Sequence, residues 1–379
     1  MLFSLILALT AGDTVVFKGP AGSITPSLSA GANGRLIATW LEPLKPEGRY
    51  ALRFATSDGK SWSAPGTVRE SDRFFVNWAD FASLIETRDG AWVAHWPEKT
   101  AAQPYAYHVM VSTSRDRGRT WTPPRRLHDD TSATEHGFVA MNAGSSGTDL
   151  IWLDGRKTSG ESGEMTVRTR SLSPDGTLGR ETELDARTCE CCQAALARTS
   201  DGLVAAWRDR SEGEVRDIAI SRQENGRWSL PRIVSADWWE HRACPVNGPA
   251  LVADGRRVDL AWFTGAGGQN RVWLVRSADA ARTFGTRVRI DDGQTLGRID
   301  AEPMGDGSVL VTWLEGKSDQ EAEWRIRRVD ANGKAGPSRA VATVARARIA
   351  GFPRLARSSG SVFLAFTTPD GVRVVRIGE

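Results

Sequence analysis

A turn followed by an alternating apolar strand that ends in an aromatic residue recurs seven times in this chain, and no other feature restricts the fold so strongly. The strand ends are Trp40 (GRLIATW), Trp96 (GAWVAHW), Trp152 (TDLIW), Trp207 (GLVAAW), Trp262 (RRVDLAW), Trp313 (GSVLVTW) and Phe366 (SVFLAF). Successive separations are 56, 56, 55, 55, 51 and 53 residues. A fixed period of this length marks an architecture in which one small sheet cannot bury its own faces, so neighbours must stack.

Each period reads as four short strands. An opening strand follows a proline or small residue, as at Thr25-Pro26-Ser27-Leu28 and Gly248-Pro249-Ala250-Leu251, and the tryptophan strand comes second. A β-rich third strand (Tyr107 to Val111, Val272 to Val275) and a fourth (Arg125 to Leu127, Arg287 to Ile290) complete the unit. Four-stranded sheets repeated around an axis predict an all-β, seven-bladed β-propeller, with a six-bladed ring as the alternative count. The seventh period stops after its third strand. The orphan segment Thr14-Val15-Val16-Phe17 is expected to supply the missing one, which would remove an exposed sheet edge.

The 379 residues would suggest two or three domains by length alone, but the repeat predicts one propeller domain over 13–379. Lys and Arg exceed Asp and Glu by 49 − 46 = 3, with both signs scattered, so no nucleic-acid partner is expected. No apolar run approaches the roughly 18 residues of a membrane span, so none is expected. Residues Leu2 to Ala11 resemble the apolar stretch of a secretory signal within 1–12, which predicts an exported protein, periplasmic or secreted; the alternative is an apolar N-terminal strand. A monomer is expected.

Between third and fourth strands lies Ser114-Arg115-Asp116-Arg117-Gly118-Arg119-Thr120-Trp121, a complete Ser-x-Asp-x-Gly-x-x-Trp box. Variants occur at Ser277 to Phe284, Ser57 to Trp62 and Ser221 to Trp228. In such a box Asp accepts backbone N–H groups, Gly supplies a positive φ and Trp plugs the sheet interface. On these motifs the chain resembles the Asp-box (bacterial neuraminidase repeat) propellers, a superfamily that includes sialidases. That resemblance implies a Tyr nucleophile paired with Glu, an Asp acid/base and three Arg on a carboxylate. The family keeps its Tyr late, whereas the tyrosines here are Tyr50, Tyr105 and Tyr107, and the early segment Gly22 to Pro26 has no Arg. Two elements are therefore missing from their places, and the family is six-bladed where seven periods are counted here.

Counting back 16 residues from each strand end gives Ile24, Asp80, His136, Cys191, Val246, Gly297 and Ala350, which should ring one face. All four cysteines lie at this level: Cys189, Cys191, Cys192 and Cys244. Cys189 and Cys244 are each 18 residues before their tryptophan, so a Cys189–Cys244 bridge is the expected disulfide. Three readings stay open: structural disulfides, a soft-metal site for copper or zinc with His136 and His241 as auxiliary ligands, and a redox-active thiol/disulfide pair. Loops after the second strands add charge at Glu98, Asp154, Arg156, Glu315 and Lys317, and most densely at Arg208-Asp209-Arg210 with Glu214 to Asp217. With Asp80, Arg298 and Asp300 from the lead-in segments, the set Arg156, Arg208, Asp209, Arg210 and Glu315 predicts a site for a small anionic ligand or glycan, or else an interlocking network that orders the loops. His95 and His108 are read as sheet residues, His128 as an exposed strand end. Gly265 to Gly268 opens no helix and is no dinucleotide loop. Metal or thiol chemistry, glycoside hydrolysis by the acidic residues, and a non-catalytic scaffold remain the competing functions.

Overall fold

Each aromatic-ended strand is the second strand of an antiparallel sheet, of four strands in six cases and five in the Trp207 sheet, in the computed structural model, which describes Leu9 and residues 12–378 apart from 32–33, 145–146 and 160–161. The apolar run expected as a signal lies almost wholly outside the described residues. Blade 1 comprises Ile24–Ala30, Leu36–Pro43, Tyr50–Ser57 and Gly66–Ser71, and blade 2 Ser83–Glu86, Trp92–Lys99, Tyr107–Ser114 and Arg125–Arg126. Blade 3 runs through His136–Ala143, Thr148–Ser159, Ser162–Leu172 and Thr182–Asp185. Blade 4 has Ala195–Thr199, Gly202–Arg208 and Ile218–Glu224, with Arg232–Ser235 pairing the last of these. Blades 5 and 6 begin at Ala250–Asp254 and Thr295–Pro303 and follow the same order. Blade 7 is Arg354–Ser358, Ser361–Thr368 and Gly371–Ile377, completed by Thr14–Lys18. The chain is a seven-bladed β-propeller, and the six-bladed count is excluded.

The orphan strand closes blade 7, as the missing fourth strand of the seventh period predicts. Thr14 lies opposite Arg376 and Lys18 opposite Arg373, with a bulge between Val15 and Phe17. The contacts group into two compact units, one of residues 184–347 and the other of residues 12–183 with 348–379. Each has continuous cores between its own sheets. In the first, Val204, Ala206 and Ile220 of blade 4 meet Leu260 and Trp262 of blade 5. In the second, Ile37 and Leu52 of blade 1 meet Leu84, Ala94 and Trp96 of blade 2. The six strand-end tryptophans and Phe366 are all at most 1% exposed; Trp262 and Trp313 pack between sheets of the first unit, and Trp40, Trp96 and Trp152 between sheets of the second.

The complete box staples its hairpin through named bonds. Ser114 Oγ accepts the Gly118 N–H at 2.8 Å, and Asp116 accepts the Thr120 N–H at 2.9 Å and its hydroxyl at 2.6 Å. Gly118 has φ +79°, and a Cβ there would stand 2.5 Å from Phe54 Cζ. At the equivalent place in the Ser277 variant, Ala281 carries φ +61° and still donates to Ser277 Oγ at 2.9 Å. The loss of glycine in that box leaves its hydrogen bonds intact and transfers the cost to backbone strain.

Candidate functional site

The lead-in segments to blades 4 and 5 bring all four cysteines together, but not in the pairing that repeat counting predicts. Cys191 and Cys244 form the disulfide, with Cα atoms 6.0 Å apart. Cys189 donates its amide to Arg208 O at 3.0 Å and turns inward, so its side chain meets Cys192 rather than Cys244. The two thiols are 1% exposed and their sulfurs are 2.8 Å apart; Cys189 Sγ is also 3.9 Å from Cys191 Sγ. Cys244 is exposed and Cys191 half-buried. The four sulfurs thus form one chain, from an exposed disulfide to a buried dithiol.

The two buried thiols are electrostatically unequal. Burial, followed by the hydrogen bond to Cys192, pushes the Cys189 thiol well above its usual range. Burial acts on Cys192 in the same sense, but the Cys189 S–H, the Arg208 guanidinium, the Asn247 amide and Arg216 outweigh it and hold that thiol below its usual value. Cys192 is therefore the sulfur that carries thiolate character.

The arginine-rich loop beside them is an interlocked network. Arg208, 1% exposed, donates to the carbonyls of Asn247 (2.8 Å), Phe263 (2.6 Å) and Arg216. Arg210 and Arg216 both bridge Glu190 and Glu214; Arg216 does so at 3.0 and 2.8 Å. Arg156 is held by Asp154 and Glu181, each at 2.7 Å. The Arg298 side chain donates to Ala347 O at 2.9 Å, and its amide to Asn247 Oδ1 at 2.6 Å. His241 stacks on Trp239 with ring centres 4.8 Å apart.

Most of the acidic residues after the second strands cap indoles. Trp96 donates to Glu98 (3.2 Å), Trp152 to Asp154 (2.9 Å) and Trp313 to Glu315 (2.5 Å), each acceptor two residues on. Trp40 approaches Glu42 in the same way at 3.4 Å. The signal was a Trp-x-acid spacing, visible in the sequence but read there as surface charge. In blade 4 the pattern breaks. Trp207 donates instead to Asp185 at 2.7 Å, leaving Asp209 as a second carboxylate beside the first. Burial and the Asp185 charge raise Asp209 to about 6. Asp300 lies half-buried in the opening strand of blade 6.

In residues 80–154 a second polar centre forms that sequence reasoning saw only in part. Asp80 is buried, accepting the Phe138 N–H at 2.9 Å through Oδ1, while its Oδ2 is 2.9 Å from the Tyr107 hydroxyl. That hydroxyl is also 2.8 Å from Glu135 Oε1. Burial raises Asp80 to about 7, against the opposing pull of the Phe138 amide and the Tyr107 hydroxyl, and burial with the two carboxylates drives Tyr107 well above its ordinary value. Two hydrogen bonds converge on one hydroxyl that has a single proton, and a protonated Asp80 supplies the other.

His136 belongs to this second centre and not to the sulfurs. It is grouped with His108 and His128, whose ring centres are 5.3 and 3.7 Å away. His128, expected at the surface, is 2% exposed because its ring stacks flat on His136 beneath the chain that leads into blade 3. Desolvation, followed by the neighbouring His136 imidazole, lowers His108 to about 4 and His128 to about 2. His95 is a sheet residue as expected, within 2.7 Å of Ser83 Oγ.

No family model and no curated protein sequence matches this chain. Solved structures match along nearly its whole length. A protein of unknown function from Dyadobacter fermentans has a TM-score of 0.55 at 14% identity, covering 98% of this chain and 99% of that one. The α-L-arabinofuranosidase of Fusarium graminearum has a TM-score of 0.54 at 12% identity, covering 98% of each. The endosialidase of phage phi92 has a TM-score of 0.53 at 10% identity, covering 97% of this chain and 68% of that one. The fold is that of the sialidase-like β-propellers. At these identities the sialidase-like likeness is one of architecture, and the fold neighbours include glycoside hydrolases with different specificities.

Proposed function

We propose that this sialidase-like propeller is an exported protein whose working site is the sulfur cluster, and that the cluster performs thiol–disulfide chemistry. One observation carries the reading: an exposed Cys191–Cys244 disulfide is backed at 3.9 Å by a buried Cys189–Cys192 dithiol. The Cys192 thiolate takes the Cys189 proton across their 2.8 Å contact, so that Cys189 attacks Cys191 Sγ and Cys244 leaves as thiolate. Cys192 then gives that proton to Cys244, attacks Cys189 Sγ and releases Cys191 as thiolate. One proton and one negative charge thus pass from the buried pair to Cys244 and Cys191, and no electrons enter or leave. The exchange shuttles one disulfide between a buried and an exposed pair, so an external thiol or disulfide at Cys244 communicates with a protected partner. An oxidising compartment outside the cytoplasm is the setting in which such a pair stays poised.

Disulfide mapping by mass spectrometry, after equilibration in glutathione buffers of graded redox ratio, tests this. The expected result is migration of the linkage from Cys191–Cys244 to Cys189–Cys192, abolished in Cys192→Ser. A linkage that never moves overturns the reading in favour of structural disulfides. Stoichiometric copper or zinc on the sulfurs of the reduced protein overturns it in favour of the soft-metal site.

A second reading, glycoside hydrolysis, is favoured by the Tyr107 hydroxyl held between Asp80 and Glu135. Glu135 would take the tyrosine proton as Tyr107 attacks a sugar carbon, and protonated Asp80 would serve as the acid. Hydrolysis of a sialoside or an arabinofuranoside, lost in Tyr107→Phe, supports it; a panel with no turnover sinks it.

A further inference from the structure

The three histidines in residues 108–136 come from different segments: His108 from the third strand of blade 2, His128 from just beyond its fourth, and His136 from the start of blade 3. One potential ligand atom from each lies within 4.8 Å of the others. Their hydrogen bonding is incomplete in a specific way. His136 Nδ1 faces two carbonyl oxygens, of Tyr107 at 3.2 Å and Thr134 at 3.1 Å, which only accept. That nitrogen therefore carries the hydrogen, and in the neutral ring Nε2 holds the lone pair. Nε2 is buried without a hydrogen bond and looks at Asp130 Oδ2 (3.1 Å) and Asp154 Oδ1 (3.6 Å). Both nitrogens of His128 and Nδ1 of His108 are likewise buried with no hydrogen-bond partner.

Buried imidazole nitrogens without partners lose the hydrogen bonds they had to water and gain none in return. A nitrogen lone pair facing carboxylate oxygens adds repulsion. A cation placed among them reverses both effects. The arrangement also has the support that metal-binding histidines need, since the Nδ1–H of His136 is anchored on backbone carbonyls and fixes which nitrogen points inward. Asp154 is already tied to Arg156 and Trp152, whereas Asp130, partly exposed and held by Ser132 but by no cation other than a protonated His136, is the carboxylate better placed to join.

We propose that His108, His128 and His136, with Asp130 as fourth ligand, bind a divalent transition metal of the zinc class. Three neutral imidazoles and one carboxylate suit Zn²⁺ or its substitute Co²⁺ rather than the oxygen-seeking Mg²⁺ or Ca²⁺. A shared ion lies near the plane of each imidazole, so binding must tilt His128 out of its parallel stack on His136. The half-exposed His108 and Asp130 mark the side from which an ion enters.

The test uses the full chain with every cysteine reduced and alkylated, which removes the sulfur cluster as a competing site. Zn²⁺ titration by calorimetry is expected to give one equivalent, and Co²⁺ to give a visible d–d spectrum without thiolate-to-cobalt charge transfer. His128→Ala and His108→Ala should each weaken Zn²⁺ at least tenfold, and Asp130→Asn should weaken it less. His108 and Asp130 are not fully buried, so those two variants keep the test decisive if His128→Ala fails to fold. Absence of Zn²⁺ binding to the alkylated protein, or binding unchanged in His108→Ala and Asp130→Asn, overturns the proposal.

Discussion

The sulfur centre of residues 189–244 and the histidine centre of residues 80–154 treat buried polar groups in opposite ways. Around the sulfurs, cations are matched: Arg208 is satisfied by three carbonyls, and Arg210 and Arg216 share Glu190 and Glu214. Around the histidines, imidazole nitrogens lie buried without hydrogen-bond partners, and one of them faces two carboxylates. The first pattern holds long loops rigid and tunes a thiol. The second stores a binding capacity that an added cation or proton can release. Matched charge builds scaffolding here, and unmatched polarity points to chemistry.

Three measurements can break or sharpen that contrast. The largest effect is expected from Arg208→Met, which strands three buried carbonyls; a loss of about 3–5 kcal/mol should appear in urea unfolding. If the loss is below 1 kcal/mol, the guanidinium is not the strut described. Next comes the pH dependence of stability. Asp80 has a folded value of about 7 against an ordinary 3.8, so between these limits the folded state binds a proton that the unfolded state has lost. Stability should therefore be fully present below about pH 4 and decline as pH rises through 7, by at most about 4 kcal/mol from this group. Asp80→Asn should flatten that slope above pH 6, while Asp209, raised to about 6, leaves a residual decline below it. An unchanged slope in Asp80→Asn would show that the carboxyl is already ionised at low pH. Smallest of all, Arg210→Gln removes a half-exposed ion pair and should cost under about 1 kcal/mol in thermal unfolding. A larger loss would mean that this loop, too, depends on uncompensated charge.

The repeat was fully legible because burial imposes it. Every aromatic strand end from Trp40 to Phe366 is buried, and the orphan Thr14 segment fills the gap left at the last blade. The cysteine level was legible too, but not the pairing. Counting along a repeat places Cα atoms, whereas the irregular lead-in around Cys189 decides which way each sulfur turns. The histidine centre was hidden for a related reason. His128 follows a strand of only two residues, where no alternation separates inside from outside, and its burial comes from a ring eight residues further on. The Trp-x-acid spacing was in plain view. Its meaning depends on indole geometry, and a one-dimensional string does not display that.

The pairing of Thr14–Lys18 with Gly371–Ile377 has a consequence for how the molecule comes into being. Its partners are separated by more than 350 positions, so this blade cannot be finished until all six others have left the ribosome. Until then the early strand is an unpaired edge, open to proteases and to other chains. Pairing across such a separation is intrinsically slow, and Gly371–Ile377 acts as the latch of this blade. Deleting residues 371–377 would leave most blades drawn correctly on paper and the molecule unlatched in solution.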